Sequence, residues 1–324
     1  MARYLVTGGC GFIGSHLADA LVAGGHDVRI LDDLSTGRRS NAPEAAELRI
    51  GDVADPAAVA EAMAGVDGCF HLAAVASVAR CNTDWAGAHR VNLTGAINIL
   101  SAARATDGQA RVPVVYASSA AVYGDNPELP LGEDARTLPL SAYGADKLGC
   151  ELHARAAAIV HDLPTIGFRF FNVYGPRQDP KSPYSGVISI FAGRVGRGDP
   201  LQIFGDGEQT RDFVYVDDVV RCVLAGMRRL QDARDETPRA EVMNVCTGAA
   251  TAVRQLAEVM IDLAGQRVPI EHQPPREGDI KVSVGDPRTA GQRLNFKATV
   301  PLREGLSRTL ASLAHGSPPI ATVG

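Results

Sequence analysis

No C-x-x-C pair occurs in this sequence. Its six cysteines, Cys10, Cys69, Cys81, Cys150, Cys222 and Cys246, are scattered, and several sit in apolar runs. That pattern predicts buried free thiols in a reducing cytoplasm. The eight histidines lack paired ligand spacing, so no metal site is expected. No apolar run approaches the roughly 18 residues that span a bilayer, which argues against a membrane partner. Basic runs are also missing, and with a formal net charge of -5 nothing points to nucleic acid. The first strand-like run begins within a few residues of Met1, so no signal peptide is expected. Repeats and low-complexity tracts are absent. What remains is an ordinary composition, 45% hydrophobic and 21% charged over 324 residues. That is enough for one large α/β domain and a smaller lobe.

The chain opens with an apolar run at 4–6, then Gly8, Gly11 and Gly14, then an apolar-periodic segment at 12–22. This reads as strand, tight turn, helix. The triplet also parses as Gly9-x-Gly11-x-x-Gly14. Glycine lets the turn take positive φ and lets backbone approach a ligand closely. The helix start then aims free N–H groups and a positive dipole end at the same place, which suits a pyrophosphate. A second strand, 28–31, ends at Asp32, near the distance expected for an acid on the adenosine ribose.

Alternation continues. Strands are expected at 48–50, 68–72, 112–117 and 165–171, with helices after Asp55-Pro56, over 85–105 and over 142–161. Such β-α alternation implies an α/β fold with a doubly wound parallel sheet. Ligands bind such sheets at the carboxyl ends of the strands. Gly8–Gly14, Asp32, Asp52, Ala73, Ser118-Ser119 and Asn172 all fall there. Beyond Asn172 the character changes. Residues 176–186 are rich in Pro, Ser and Gly and read as a substrate-covering loop. Helices are expected at 187–197, 218–230 (capped by Asp217), 252–264 and 302–313. Strands are expected at 201–204, 213–216 and 242–245, a charged surface loop at 231–239, and a frayed end from 315.

The chemistry centres on Ser119 and on Tyr143-x-x-x-Lys147. Residues four apart share a helix face, so Lys147 can reach both the Tyr143 ring and a bound ribose. A phenol in water titrates near about 10, too high for a base at neutral pH. A neighbouring cation favours the phenolate. Ser119 can hydrogen-bond and orient the reacting oxygen.

Together, TGGCGFIGSHL, LDDLSTG, GDVAD, HLAA, SSAAVYG, YGADK and RFFNVYGPR resemble the extended short-chain dehydrogenase/reductase family, most closely its UDP-sugar 4-epimerases. The likeness covers nearly the whole chain. It implies tightly held NAD in a Rossmann-type domain of residues 1–172, with returning segments about 209–246. A UDP-sugar lobe follows from 173–208 and 247–315, with a disordered tail at 316–324. The resemblance places Gly8, Gly11, Phe12, Ile13 and Gly14 on the pyrophosphate. Asp32 and Asp33 fall on the ribose and Asp52 and Val53 on the adenine. Leu72, Ala73, Ala74, Ser118, Phe170 and Phe171, with Tyr143 and Lys147, lie along the nicotinamide side. Asn92 matches a family asparagine inside the fourth helix; the bland reading is a kinking residue held by backbone. Ser119, Ala120, Asn172, Val187, Arg211 and Arg276 match substrate contacts, Asp279 a uridine-ribose contact, and Leu201, Ile203 and Phe204 an edge that holds uracil. A homodimer through the helices near 85–105 and 142–161 is also implied.

Small differences then separate reactions. Dehydratases of the family carry an acidic pair after the catalytic Ser or Thr; here Ala120-Ala121 stand there. Decarboxylases need groups that handle a carboxylate, and only Arg177 and Lys181 suggest them. The expected reaction is oxidation at C4 and return to either face. UDP-glucuronate epimerisation or decarboxylation is the alternative enzyme reading. A non-catalytic NAD-binding regulator is the alternative class. The resemblance also sets Ser283 where the family places a residue beside the sugar's 2-substituent, and a small residue there is expected to leave room for N-acetyl.

Overall fold

The computed structural model describes residues 1–104, 111–179, 186–232, 240–276 and 279–314. Lys181, much of the loop at 176–186, most of the loop at 231–239 and the tail from 315 lie outside those residues.

In the first half, β1 (Arg3–Thr7) leads to α1 (Phe12–Ala23) and β2 (Asp27–Asp32), then β3 (Glu47–Ile50), α2 (Pro56–Met63) and β4 (Gly68–His71). Asp55 caps α2 by accepting from the Ala57 amide, the role its place before Pro56 predicts. Next come α3 (Val78–Thr83), α4 (Trp85–His89), a π-turn (Arg90–Thr94) and α5 (Gly95–Ala102). The single helix expected over 85–105 is therefore interrupted. The wide turn brings Asn92 inward, where its side chain grips Val75 from both amide ends, accepting from the nitrogen at 2.8 Å and donating to the oxygen at 3.2 Å. Then β5 (Val114–Ser119), α6 (Ala142–His161) and β6 (Thr165–Phe170) follow.

The second half holds β7 (Asn172–Tyr174), α7 (Val187–Arg197), β8 (Leu201–Phe204), β9 (Thr210–Arg211), β10 (Phe213–Tyr215), α8 (Val216–Asp232) and β11 (Ala240–Val245). It ends with β12 (Thr251–Ala252), α9 (Val253–Ala264), β13 (Ile270–Gln273), β14 (Val282–Ser283), α10 (Arg288–Leu294) and α11 (Leu302–Ala314). The expectation that Asp217 caps α8 is corrected. Strand runs straight into helix at Val216, so Asp217 lies in the first turn, where an acid complements the dipole. Its neighbour Asp218 is fully buried and accepts from the Thr299 and Val300 amides.

Seven strands form one parallel sheet in the order β11-β6-β5-β4-β1-β2-β3. The chain winds outward from β1 to β3, returns to β4 and winds the other way. The crevice between the carboxyl ends of β1 and β4 is thus the switch point where such sheets take ligands. One apolar core lies between the sheet and α1 and α8, a second between the sheet and α2, α5 and α6. A third, around Phe191, Leu256 and Met260, belongs to the second half and is covered by α7, α9 and α11. All six cysteines are free and buried. Among the described residues no helix is long and apolar enough to cross a membrane, and no cluster of ligating side chains could hold a metal.

Candidate active site

The turn after β1 is shaped by what glycine lacks. Gly8 has φ +70°, and a Cβ there would meet the Ala73 backbone at 2.8 Å. A Cβ on Gly14 would strike the Gly8 carbonyl. The turn therefore lies directly against the segment after β4, and α1 starts close beneath it. Gly11 is the N-cap of α1 and has no side chain to cap it, so the first-turn amides, which no helix satisfies internally, stay available to a ligand.

Asp32 stands at the end of β2, buried, with Oδ2 accepting from the Cys10 amide and Oδ1 from the Leu34 amide, each at 2.9 Å. It thereby fixes the glycine turn as well as facing its edge. Asp33 accepts from the amide and hydroxyl of Ser35. Asp52 accepts from the Ala54 amide and pairs with Arg90 at 2.6 Å. Val53 is buried.

Thr7 and His71 were not anticipated as site residues. The Thr7 hydroxyl oxygen accepts from the Leu72 and Ala73 amides, each at 3.2 Å, and lies 2.8 Å from His71 Nδ1. Burial, with the charge of Lys147 adding, pushes His71 down to about 3. The ring is neutral, so Nδ1 can accept the Thr7 proton. This pair fastens Leu72, Ala73 and the turn toward Ala74 to the cradle. The clue was the register of two adjacent parallel strands, Thr7 opposite His71, which single-strand patterns do not reveal.

Ser119, Tyr143 and Lys147 are brought together by how α6 docks. Ser141 caps α6 by accepting from the Gly144 amide at 3.1 Å. A Cβ on Gly144 would lie 2.6 Å from the Ala121 carbonyl, so the helix start rests directly on the turn that Ser119 opens. Ser119 accepts from the Ala121 amide there, beside Ala120. One turn on, Lys147 is almost fully buried and donates to the Ala117 carbonyl at 2.9 Å. Its ammonium lies 5.8 Å from the centroid of the half-buried Tyr143 ring. Ser118, one residue earlier on β5, points the other way, its hydroxyl donating to Glu151 at 2.5 Å. That hydroxyl is committed within the protein, which leaves the backbone of Ser118 for the expected place along the cofactor. Phe170 and Phe171 are buried at the end of β6.

On the other side of the crevice, β9 pairs with β14 in parallel, setting Ser283 opposite Arg211. Arg211 pairs with Asp279 at 2.5 Å, so two residues assigned separate ligand contacts also bind each other. Burial lowers the Arg211 pKa, opposed by Asp279. The Arg276 guanidinium stacks 3.8 Å from the Phe204 ring centroid. Asn172 begins β7 beside Phe213 of β10, and half-buried Val187 begins α7. The side chains of Leu201 and Ile203 point inward, so only the edge of β8 and its outer residues are left to meet a ligand. Both are fully buried in the third core, and strand alternation leaves Gln202 and Phe204 on the outer face.

The cradle fits a dinucleotide: a positive-φ turn pressed on the neighbouring strand, an uncapped helix start, and an acid at the end of β2. A Rossmann fold with a Ser, Tyr and Lys set beside its switch point defines an NAD-dependent enzyme class. The chain belongs to the NAD-dependent epimerase/dehydratase family, whose model matches residues 4–246. It is 37% identical over 316 residues to a UDP-glucose 4-epimerase of Mycolicibacterium smegmatis, covering 95% of this chain and 97% of that one. A crystal structure of the Thermotoga maritima UDP-glucose 4-epimerase with UDP-glucose superposes with a TM-score of 0.89 at 35% identity, over 96% of this chain and 98% of that one. A UDP-N-acetylglucosamine 4-epimerase of Methanobrevibacter ruminantium, in complex with UDP-N-acetylmuramic acid, gives a TM-score of 0.89 at 32% identity, over 97% and 98%.

Proposed function

We propose that this chain interconverts the C4 epimers of UDP-sugars, both UDP-glucose with UDP-galactose and UDP-GlcNAc with UDP-GalNAc. Bound NAD supplies a two-electron acceptor that gives back what it takes. Held by Gly8 to Gly14, Asp32 and the segment Leu72 to Ala74, it would lie along the edge where Tyr143 and Lys147 emerge. Tyr143 takes the proton of the 4-hydroxyl, while Ser119 hydrogen-bonds that oxygen and fixes its direction. Lys147 supports the phenolate electrostatically. The 4-keto sugar then turns about its link to the diphosphate, and Tyr143 returns the proton on the opposite presentation. Arg211, Arg276 and Asp279 keep the nucleotide in place meanwhile, arginine forks suiting diphosphate oxygens.

One observation carries this reading: α6 rests on the Ser119 turn through Gly144 while Lys147 reaches back to Ala117. A regulator that only senses NAD has no need of that arrangement. We also propose that the protein works in the cytoplasm as a homodimer. Leu152, Ile159 and Val160 are exposed on α6, beside a groove that α6 shares with Ile97 of α5.

The test is a substrate panel of UDP-glucose, UDP-GlcNAc and UDP-glucuronate, read by NMR of the sugar products. The first two are expected to give 4-epimers. Turnover of UDP-glucuronate alone, or release of carbon dioxide, would move the assignment to the acid sugars. Ser283→Tyr is expected to abolish turnover of UDP-GlcNAc and spare UDP-glucose. A wild type that already rejects UDP-GlcNAc, with no change in the variant, would remove the role given to Ser283.

A further inference from the structure

A path of buried hydrogen bonds runs from the helix that carries Tyr143 to the strand that carries Ser283. Glu151 lies one turn beyond Lys147 on α6 and accepts from Arg169 at both oxygens, 2.9 Å from Nε and 2.7 Å from Nη2. Glu151 also accepts from Ser118, the residue before Ser119. Arg169 donates onward to the Tyr123 hydroxyl at 2.9 Å. Tyr123 donates to Asn244 Oδ1 at 2.7 Å, and Asn244 Nδ2 donates to the Leu131 carbonyl at 2.8 Å. The Leu131 amide donates to the carbonyl of Val284, the residue after Ser283, at 2.9 Å. Every residue on this path is at least nine-tenths buried. Burial pushes the Tyr123 phenol up to about 12, partly offset by Arg169, so the hydroxyl keeps its proton and remains a donor.

Such a path is a poor way to gain stability. Buried ion pairs roughly break even against apolar side chains of the same size, and a polar chain leaves costly orphans if one member moves. What it does supply is geometry, since each bond admits a narrow range of distance and direction. Its two ends are the two walls between which the sugar must lie.

We propose that Tyr123, with the Glu151–Arg169 pair behind it, is a positioning residue that holds the Ser119–Tyr143–Lys147 wall in register with the Ser283 wall, so that the 4-keto sugar is kept while it turns. This rests on the epimerase reading above. If the walls lose register, the keto sugar escapes. The two electrons removed from C4 then stay on the cofactor, which is left reduced, and the hydroxyl proton passes from Tyr143 to water.

Tyr123→Phe removes the central hydroxyl and little volume. Ser118→Ala removes the tie between β5 and Glu151. Tyr4→Phe is the control: it deletes the same atom from a buried tyrosine at the amino end of β1, where the hydroxyl bonds Gln231. The full-length enzyme with NAD is assayed for kcat and KM with UDP-glucose, and for reduced cofactor by its absorbance. A misplacement of ångström size costs up to about a hundredfold in rate, so Tyr123→Phe is expected to lower kcat about tenfold. KM should stay within about twofold, and reduced cofactor should accumulate. Ser118→Ala is expected to move the same readouts in the same direction, and Tyr4→Phe to move none. If Tyr123→Phe and Ser118→Ala match Tyr4→Phe, the coupling is overturned while the epimerase reading stands. If the wild type converts no UDP-glucose, both are overturned.

Discussion

The two walls of the crevice are made in different ways. The cofactor wall is made of backbone: a turn forced by Gly8 and Gly14, an uncapped helix start, and strands of four to six residues in a single sheet. The substrate wall is made of side chains on very short strands. β9, β12 and β14 have two residues each, and none could hold its register alone. Fully buried Asp212, the residue after β9, fastens that strand to the segment before β12, accepting from the amides of Thr247 and Gly248, each at 2.8 Å, and from the Thr247 hydroxyl at 2.7 Å. Burial raises the Asp212 pKa, and those hydrogen bonds oppose the rise. A backbone wall recognises what every dinucleotide shares. A side-chain wall can be retuned one residue at a time, so under the proposed function substrate choice belongs there.

Changes at the junction of the walls should be largest in rate and smallest in fold. Tyr143→Phe keeps the ring and is expected to leave the melting temperature and NAD binding near wild type while lowering kcat about 10²- to 10⁴-fold. Near-normal turnover would remove Tyr143 as the base. Changes in the backbone wall should do the reverse. Gly8→Ala meets both a positive φ and the Ala73 backbone, at an expected cost of about 2–5 kcal/mol. Denaturant unfolding and NAD titration measure the loss. A Gly8→Ala protein that is fully stable and binds NAD would refute a wall shaped by close approach.

A smaller effect tests the Thr7–His71 tie between β1 and β4. His71 is held near 3 against an ordinary value of 6.5. Below 6.5 the unfolded chain protonates this ring and the folded chain does not. The stabilisation is therefore complete above about 6.5 and is lost as pH falls toward about 3, by roughly 1.4 kcal/mol per pH unit. Between pH 6 and 5, His71→Gln is expected to show a shallower fall in unfolding free energy than the wild type, by about that slope. Equal slopes would mean that His71 titrates freely in the fold.

The same contrast explains what could be read from the sequence. The cofactor wall was legible because steric requirements are local. Three glycines, an acid after the second strand and a Tyr–Lys pair one helical turn apart each carry their meaning within a few residues. α6 and α7 likewise follow from their own periodicity and flanking breakers. The substrate wall was not legible in that way. A two-residue strand has no period, so β9, β12 and β14 depend on partners far along the chain. Nothing in LQIF states which of its alternating side chains meets the third core. The roles of Thr7, His71, Glu151 and Arg169 depend on cross-strand register and buried partners, which composition and spacing do not encode. The pairing of Arg211 with Asp279 was hidden for the same reason.

The central proposal is that the C4 hydrogen of the sugar leaves and returns within one crevice. The direct measurement uses UDP-glucose carrying deuterium at C4, incubated with the purified protein and NAD in ordinary water, with the label followed by NMR in the UDP-galactose formed. The account predicts UDP-galactose that keeps deuterium at C4. Product with hydrogen at C4, or no product from an intact and folded enzyme, would contradict it.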